Sequence, residues 1–162
     1  MNFEQSFNKL MAHEGGYANN PADPGGETMY GITIRVARAH GYNGPMRDLP
    51  LSEARRIAKI AYWDVVRADA LPDLVRFDVF DACYHSGPER AVKLLQQALG
   101  FTGKDVDGIF GKNTLARVQS ADPKELDKRF NGYRLRFLAS LGTWPSFARG
   151  WARRIANNLI ED

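Results

Sequence analysis

Two carboxyl residues and one hydroxyl residue, Glu14, Asp23 and Thr28, lie in one short segment rich in Gly, Pro and Asn. Apolar residues at helical spacing predict an amphipathic helix over 2–13, which places Glu14 at its C-terminal end. The negative end of the helix dipole and apolar neighbours both favour a protonated carboxyl group, which suits a general acid. Asp23 follows in a Pro/Gly turn, where we expect it to be solvated and ionised. Carboxyl groups in two such unlike environments are typical of glycoside hydrolysis.

Each of the three residues also has a structural interpretation. A glutamate at a helix end is commonly a surface residue, and an aspartate in a Pro/Gly turn can serve to cap that turn alone. A loop hydroxyl such as that of Thr28 usually bonds the backbone, and its chemical alternative is to position a water molecule. The residue types therefore define a hypothesis, in which Glu14 is the acid and Asp23 and Thr28 assist it.

The spacing of these residues resembles the signature of glycoside hydrolase family 108. The matching residues are Glu14-Gly15-Gly16-Tyr17, Pro21-x-Asp23-x-Gly25-Gly26-x-Thr28 and Gly31-Ile32. The order Glu, Asp, Thr also resembles the catalytic triad of the lysozymes of T-even phages, in which the gap between Asp and Thr is one residue longer. The resemblance covers about the first third of the chain.

This resemblance implies an N-acetylmuramidase of the kind found in phages, prophages and some bacterial secretion systems. Such an enzyme cleaves the β-1,4 bond between N-acetylmuramic acid and N-acetylglucosamine, for host lysis or for the release of proteins, toxins or phage. The implied partner is the peptidoglycan glycan strand, and no cofactor or metal is expected. Glu14 would donate the proton, and Asp23 with Thr28 would hold water or stabilise the cationic sugar.

Further residues are candidates for contact with the substrate. The tyrosines Tyr17, Tyr30 and Tyr84 have rings that can stack on sugars, although such rings more often belong to a core. Gly31 is expected to allow close approach of the sugar to the backbone.

Asp78, Asp81 and His85 share one face of a predicted helix, because they are spaced at i, i+3 and i+7. We expect Asp81 and His85 to line the substrate cleft. A metal site is the less favoured alternative, since it would need ligands from elsewhere in the chain.

The chain has 162 residues, a net charge of +3 and no apolar run of membrane-spanning length. The N-terminal residues lack the pattern of a Sec-type signal, so we expect synthesis in the cytoplasm and action on the wall after release or holin-type export. Residues 1–88 carry a net charge of −2 and residues 89–162 a net charge of +5. The basic half fits an anionic polymer or an ordinary solvated surface, and a nucleic-acid partner is not expected because no such motif is present. A monomer without stable membrane insertion is expected.

The predicted fold is mainly α and lysozyme-like, with a small β-hairpin near residues 27–34. We predict a catalytic part over 1–88 and a helical part resembling a peptidoglycan domain over 89–162, packed as one compact unit. Prolines near the starts of apolar-periodic runs predict helices over 72–86, 88–99, 123–141 and 145–160. Ser52 is the predicted N-cap of another helix that reaches about residue 69, with Ile57, Ile60, Ala61 and Val65 on one side.

A second motif, Asp105 to Thr114, resembles the Val-Asp-Gly turn of peptidoglycan-binding modules. In such a turn Gly108 and Gly111 allow unusual backbone angles and Asp107 bonds the amides of the turn, so the motif has a structural role with or without glycan contact.

Three other functions stay open on the sequence. A lytic transglycosylase works with one acid and releases 1,6-anhydro ends, and Asp23 and Thr28 argue against it. A wall-binding or secretion-assisting protein with little hydrolytic activity is the second alternative, and a nucleic-acid binder is a distant third.

Overall fold

The computed structural model describes residues 1–19 and 25–161. Asp23 lies outside the described residues, so its predicted position has no structural account here.

Helices make up most of the described chain, and a two-stranded antiparallel sheet is its only described sheet. The helices and strands are α1 (Phe3–Met11), β1 (Thr28–Met29), β2 (Ile32–Thr33), α2 (Ile34–Ala39), α3 (Leu51–Ala58), α4 (Asp73–Ser86), α5 (Pro88–Ala98), α6 (Lys112–Ser120), α7 (Pro123–Ala139) and α8 (Trp144–Glu161). Short 3-10 turns occupy Met46–Asp48, Ala68–Ala70 and Gly103–Asp105. The prediction of a mainly α fold with a small hairpin is confirmed.

Local capping sets several helix ends. Asn2 forms a capping box with Gln5 at the start of α1. The side chain of Asp122 accepts a hydrogen bond of 2.9 Å from the Glu125 amide, and Pro123 takes the first position of α7. These contacts involve residues close in sequence, which explains why the predicted bounds of α7 lie close to those observed.

Helix α4 is the central element of the fold. It packs against α5 and α7 and also contacts α1. Most of its residues are buried, and the buried residues occur on every face of the helix. A helix buried all round needs apolar residues on all its faces, and α4 accordingly shows little amphipathic character. The two exceptions are Asp78 and Asp81, which are buried carboxyl residues in this apolar helix.

One predicted helix is wrong in its start and its length, and only part of its predicted apolar side is buried. Ser52 is the second residue of α3 and caps nothing, because Pro50 precedes the helix. Past Ala58 the chain continues as a π-helical turn over Lys59–Trp63. Ile57 and Ala61 are buried, whereas the wider turn leaves Ile60 and Val65 44% and 47% exposed.

The β-hairpin follows the segment that carries the predicted site. Thr28 pairs with Thr33 and Met29 pairs with Ile32, which leaves Tyr30 and Gly31 as a two-residue turn. Both turn residues have positive φ angles, 54° and 80°, as in the type I′ turns that suit the twist of a hairpin.

Within the described residues, no helix has both the length and the apolar character needed to cross a membrane.

Candidate active site

Glu14 follows the last turn of α1, and its side chain is 16% exposed. Its Oε1 accepts a hydrogen bond of 2.9 Å from Nη2 of Arg154, a residue of α8. The two residues are 140 positions apart in the chain. This ion pair therefore joins the segment that follows α1 to α8 at the candidate acid.

The hairpin turn packs directly against the Glu14 carboxylate. A Cβ atom on Gly31 would lie 2.7 Å from Glu14 Oε2 and 2.8 Å from the Tyr84 ring. Both distances are too short for real contacts, so the site requires glycine at this position on steric grounds as well as for its φ angle. The hydroxyl of Tyr84 donates a hydrogen bond of 2.7 Å to the Tyr30 carbonyl, which ties the turn to α4.

Asp81 is a buried residue of α4 that supports the site by binding two arginines. It is 1% exposed, and its carboxylate lies 2.8 Å from Nη2 of Arg134 and accepts a hydrogen bond of 2.9 Å from Nε of Arg154. Burial alone would raise the pKa of Asp81, but the charges of Arg134 and Arg154 outweigh burial and hold this pKa well below its usual range. Asp81 is thus an ionised carboxylate that orients Arg154.

The predicted contact of Asp81 with substrate does not fit this placement. Its side chain is beneath the surface, and two guanidinium groups already bind its oxygens. The i, i+3, i+7 spacing correctly placed Asp78 and Asp81 on one helix face, but that face turns toward α7 and α8. Asp78 is fully buried there and accepts a hydrogen bond from Asn131.

The other predicted contact residues lie around the hairpin or at the end of α4. The Tyr17 hydroxyl donates a hydrogen bond of 2.6 Å to Glu27, and the Arg47 guanidinium lies 5.0 Å from the centre of the Tyr17 ring. Thr28 is half-buried, and its backbone bonds that of Ala18 in both directions.

Tyr84 itself is 6% exposed, and burial is the main cause that raises the pKa of its hydroxyl. Little of this ring faces solvent, whereas Tyr30 is half-buried at the tip of the hairpin. His85 is exposed and packs edge-on against Trp151 of α8, with ring centres 5.7 Å apart.

The structure therefore brings Glu14, Tyr30, Gly31, Tyr84 and Asp81 together. Sequence reasoning missed Arg154, Arg134 and Glu27. An arginine in a helix so far from Glu14 in sequence carries no local pattern that would identify its partner.

No group of three or more metal-ligating side chains occurs in the described parts of the chain.

The second motif forms a turn held by Gln96 of α5. The Gln96 amide accepts a hydrogen bond of 2.9 Å from the Gly108 backbone and donates to Asp107, Ile109 and Thr114. Asp107 also accepts a hydrogen bond of 2.8 Å from the Ile109 backbone. A cavity of about 640 Å³ lies beside this turn. The polar motif residues thus satisfy one another, as the structural interpretation predicts. Gly108 has the expected positive φ angle, 79°, whereas the expectation for Gly111 is wrong because its backbone is extended.

Comparison with known proteins identifies two regions. Residues 7–87 match the model of Glycosyl hydrolase 108, and residues 90–156 match that of a Predicted Peptidoglycan domain. The structure of Brucella abortus SagA is similar over 96% of this chain and 90% of that one, with 34% sequence identity and a TM-score of 0.86. Among curated proteins, none matches this sequence. The chain belongs to glycosyl hydrolase family 108, and it is a glycoside hydrolase that acts on peptidoglycan.

Proposed function

We propose that the enzyme is an N-acetylmuramidase that hydrolyses the β-1,4 bond between N-acetylmuramic acid and N-acetylglucosamine. The observation that carries the proposal is the placement of Glu14. Its carboxylate is held by Arg154 on one side and packed against Gly31 of the hairpin on the other, at the edge of the protein surface. A carboxyl group fixed in this way can meet a glycosidic oxygen in a defined direction.

In the proposed reaction, Glu14 donates its proton to the glycosidic oxygen as the bond from that oxygen to the anomeric carbon breaks. A water molecule adds to the anomeric carbon and passes a proton to the second carboxylate, which we assign to Asp23 with Thr28 helping to hold the water. Arg154 fixes the direction of the Glu14 carboxyl group through its hydrogen bond to Oε1.

Mass spectrometry of fragments released from purified Gram-negative sacculi tests this proposal. The wild type should release reducing muramic acid ends, and Glu14→Gln should lower the rate by about 1,000-fold because a general acid contributes on the order of 10²–10⁴. Thermal unfolding should stay close to that of the wild type. The matched control is Glu53→Gln, which changes a partly exposed carboxylate on α3 that pairs with Arg56.

The other outcomes have definite meanings. Anhydro ends from the wild type would move the enzyme to the lytic transglycosylases. No fragments from any of the proteins would contradict the muramidase assignment and favour a wall-binding role. Near-normal activity in a folded Glu14→Gln variant would exclude Glu14 as the acid.

The proposal also includes the biological purpose of cell-wall cleavage. We assign it to host lysis or to the release of proteins, toxins or phage, with synthesis in the cytoplasm and access to the wall through a membrane lesion or a dedicated route. Expression in the cytoplasm of a Gram-negative host should cause lysis only after the membrane is permeabilised. Lysis without permeabilisation would contradict the need for such a route.

A further inference from the structure

A second recess lies directly beside the Glu14–Arg154 ion pair. It is a cavity of about 310 Å³ between the end of α1, the end of α4 and one face of α8. Arg154 belongs both to this cavity and to the candidate active site. A substrate in contact with Glu14 and Arg154 would therefore lie next to this cavity. We call it the α8 pocket, and its walls include His13, His85, Trp151, Arg153, Asn157 and Asn158.

Among the residues that the structure describes, the lining of the α8 pocket includes several hydrogen-bond donors and no carboxylate. The charge of Arg154 is already matched by Asp81 and Glu14. Arg153 is exposed, and no carboxylate among the described side chains lies within ion-pair distance of it. A pocket with an unmatched cation and no acidic wall attracts an anionic ligand.

Asn158 supplies an independent observation. The residue is 4% exposed, and its Nδ2 is buried with no hydrogen-bond partner in the described structure. A buried amide donor left without an acceptor costs free energy, so a ligand oxygen or a water molecule would satisfy it.

One wall of the α8 pocket is aromatic. Trp151 stacks on Phe147 with ring centres 5.3 Å apart and an angle of 21° between the rings, and Phe147 is 52% exposed. Trp151 also makes an edge contact with His85 at the end of α4. This wall offers an apolar surface beside the cationic side chain of Arg153. Such a combination suits a ligand that carries a charge together with a sugar or aliphatic part.

We propose that the α8 pocket binds a carboxylate-bearing part of the peptidoglycan repeat adjacent to the cleaved bond, with Arg153 as the main contact to the carboxylate. This inference rests on the proposed function, because it takes the strand to lie across Glu14. It adds that α8, which lies largely in the region matched to a peptidoglycan domain, forms part of the substrate cleft.

Two sources could supply this carboxylate. In intact sacculi the lactyl carboxyl group of muramic acid is linked as an amide to the stem peptide, so the free carboxylates belong to the peptide. In strands stripped of peptide by an amidase, the lactyl carboxylate is free. Measurements on intact sacculi and on stripped strands therefore distinguish the carboxylates of the stem peptide from the lactyl carboxylate.

The experiment compares wild type, Arg153→Gln and Arg149→Gln on intact sacculi and on amidase-stripped strands. Arg149 is the matched control, because its substitution removes the same charge from α8 one turn earlier, from a residue outside the pocket lining. Release of fragments gives kcat/KM, and co-sedimentation with the same substrates gives binding without reference to catalysis.

We expect Arg153→Gln to lower kcat/KM and binding about tenfold, mainly through KM, on at least one of the substrates, because a charge-assisted hydrogen bond is lost. A loss confined to intact sacculi identifies the stem peptide, and a loss confined to stripped strands identifies the lactyl carboxylate. Arg149→Gln should behave as the wild type does.

Equal values for the wild type and Arg153→Gln on both substrates would overturn the inference, as would equal losses in Arg153→Gln and Arg149→Gln. A wild type that releases no fragments would instead overturn the proposed function, and the α8 pocket would then be judged by the co-sedimentation result alone.

Discussion

The two polar clusters of this enzyme, the site around Glu14 and the turn around Asp107, are built in opposite ways. At the Asp107 turn the partners of Gln96 lie 11 to 18 positions away, and they bond one another. At the Glu14 site the hydrogen bonds span 54 to 140 positions and join the first helix, the hairpin, α4 and α8. The Asp107 turn is formed by residues close in sequence, whereas the Glu14 site forms only when distant segments of the chain have packed together.

This difference shows how to separate chemical from structural motifs. Both segments contain Asp, Gly and Thr in tight spacing, so residue types alone do not distinguish them. At the Asp107 turn the polar groups satisfy each other in their present arrangement. At the Glu14 site a buried carboxylate and two arginines are arranged to hold one partly exposed carboxyl group. Substitutions in the two clusters should therefore act on different quantities.

Apart from substitution of Glu14 itself, the largest effect on activity is expected for Arg154→Gln. The change leaves Glu14 without its anchor and Asp81 with one guanidinium fewer. We expect kcat on sacculi to fall about a hundredfold, since a displacement of about 1 Å can cost that much. The free energy of unfolding should fall by about 3 kcal/mol, as when a buried ion pair is broken.

Steady-state kinetics and urea unfolding measure these two effects, with kcat corrected for the folded fraction. Arg154→Lys keeps the charge but cannot hold both carboxylates in the same fork geometry, so it should recover part of the stability and little of kcat. Full activity in a folded Arg154→Gln variant would contradict the positioning role.

A smaller effect on activity is expected for Gly31→Ala. Gly26→Ala is its matched control. Both glycines have positive φ angles, 80° and 70°, so each substitution should cost about 1 kcal/mol of stability from backbone strain. Only at Gly31 would the new methyl group meet Glu14 and Tyr84, whereas at Gly26 the nearest atom is 3.7 Å away.

We therefore expect kcat to fall about tenfold in Gly31→Ala, since the added methyl group displaces the acid, and to stay unchanged in Gly26→Ala. The measurement is the rate of fragment release under conditions where both variants are folded. Equal activity of the two variants would show that the contact between Gly31 and Glu14 has no catalytic consequence.

The smallest effect on activity is expected in the Asp107 turn. Gln96→Leu removes a buried amide and leaves the Gly108 amide and the Asp107 carboxylate short of a partner, so unfolding free energy should fall by about 2 kcal/mol. Gln97→Leu, the same change at the next position, should have little effect because Gln97 is only half-buried.

Thermal or urea unfolding measures the loss of stability, and fragment release below the transition measures activity. Both glutamine variants should keep the kcat of the wild type. A large fall in kcat for a folded Gln96→Leu variant would show that the Asp107 turn is coupled to the Glu14 site and would remove the contrast between the two clusters.

Sequence reasoning predicted most of the fold because its determinants are local. Pro88, Asp122 and Pro123 start their helices through contacts within one turn, and the hairpin turn lies within the predicted segment 27–34. The π-helical turn after α3 was missed because nothing in the residues over Lys59–Trp63 distinguishes it from an α-helix.

The sequence by itself determined the mainly α fold, the hairpin and the family signature that includes Glu14, because helical periodicity, caps, turns and fixed spacing depend on near neighbours. Only the tertiary structure decided that Arg154 holds Glu14, that Asp81 lies beneath the site and that Gly31 packs against the acid. The physical reason is that ion pairs and steric contacts depend on distances in space. Chain packing sets those distances for residues as far apart as Glu14 and Arg154.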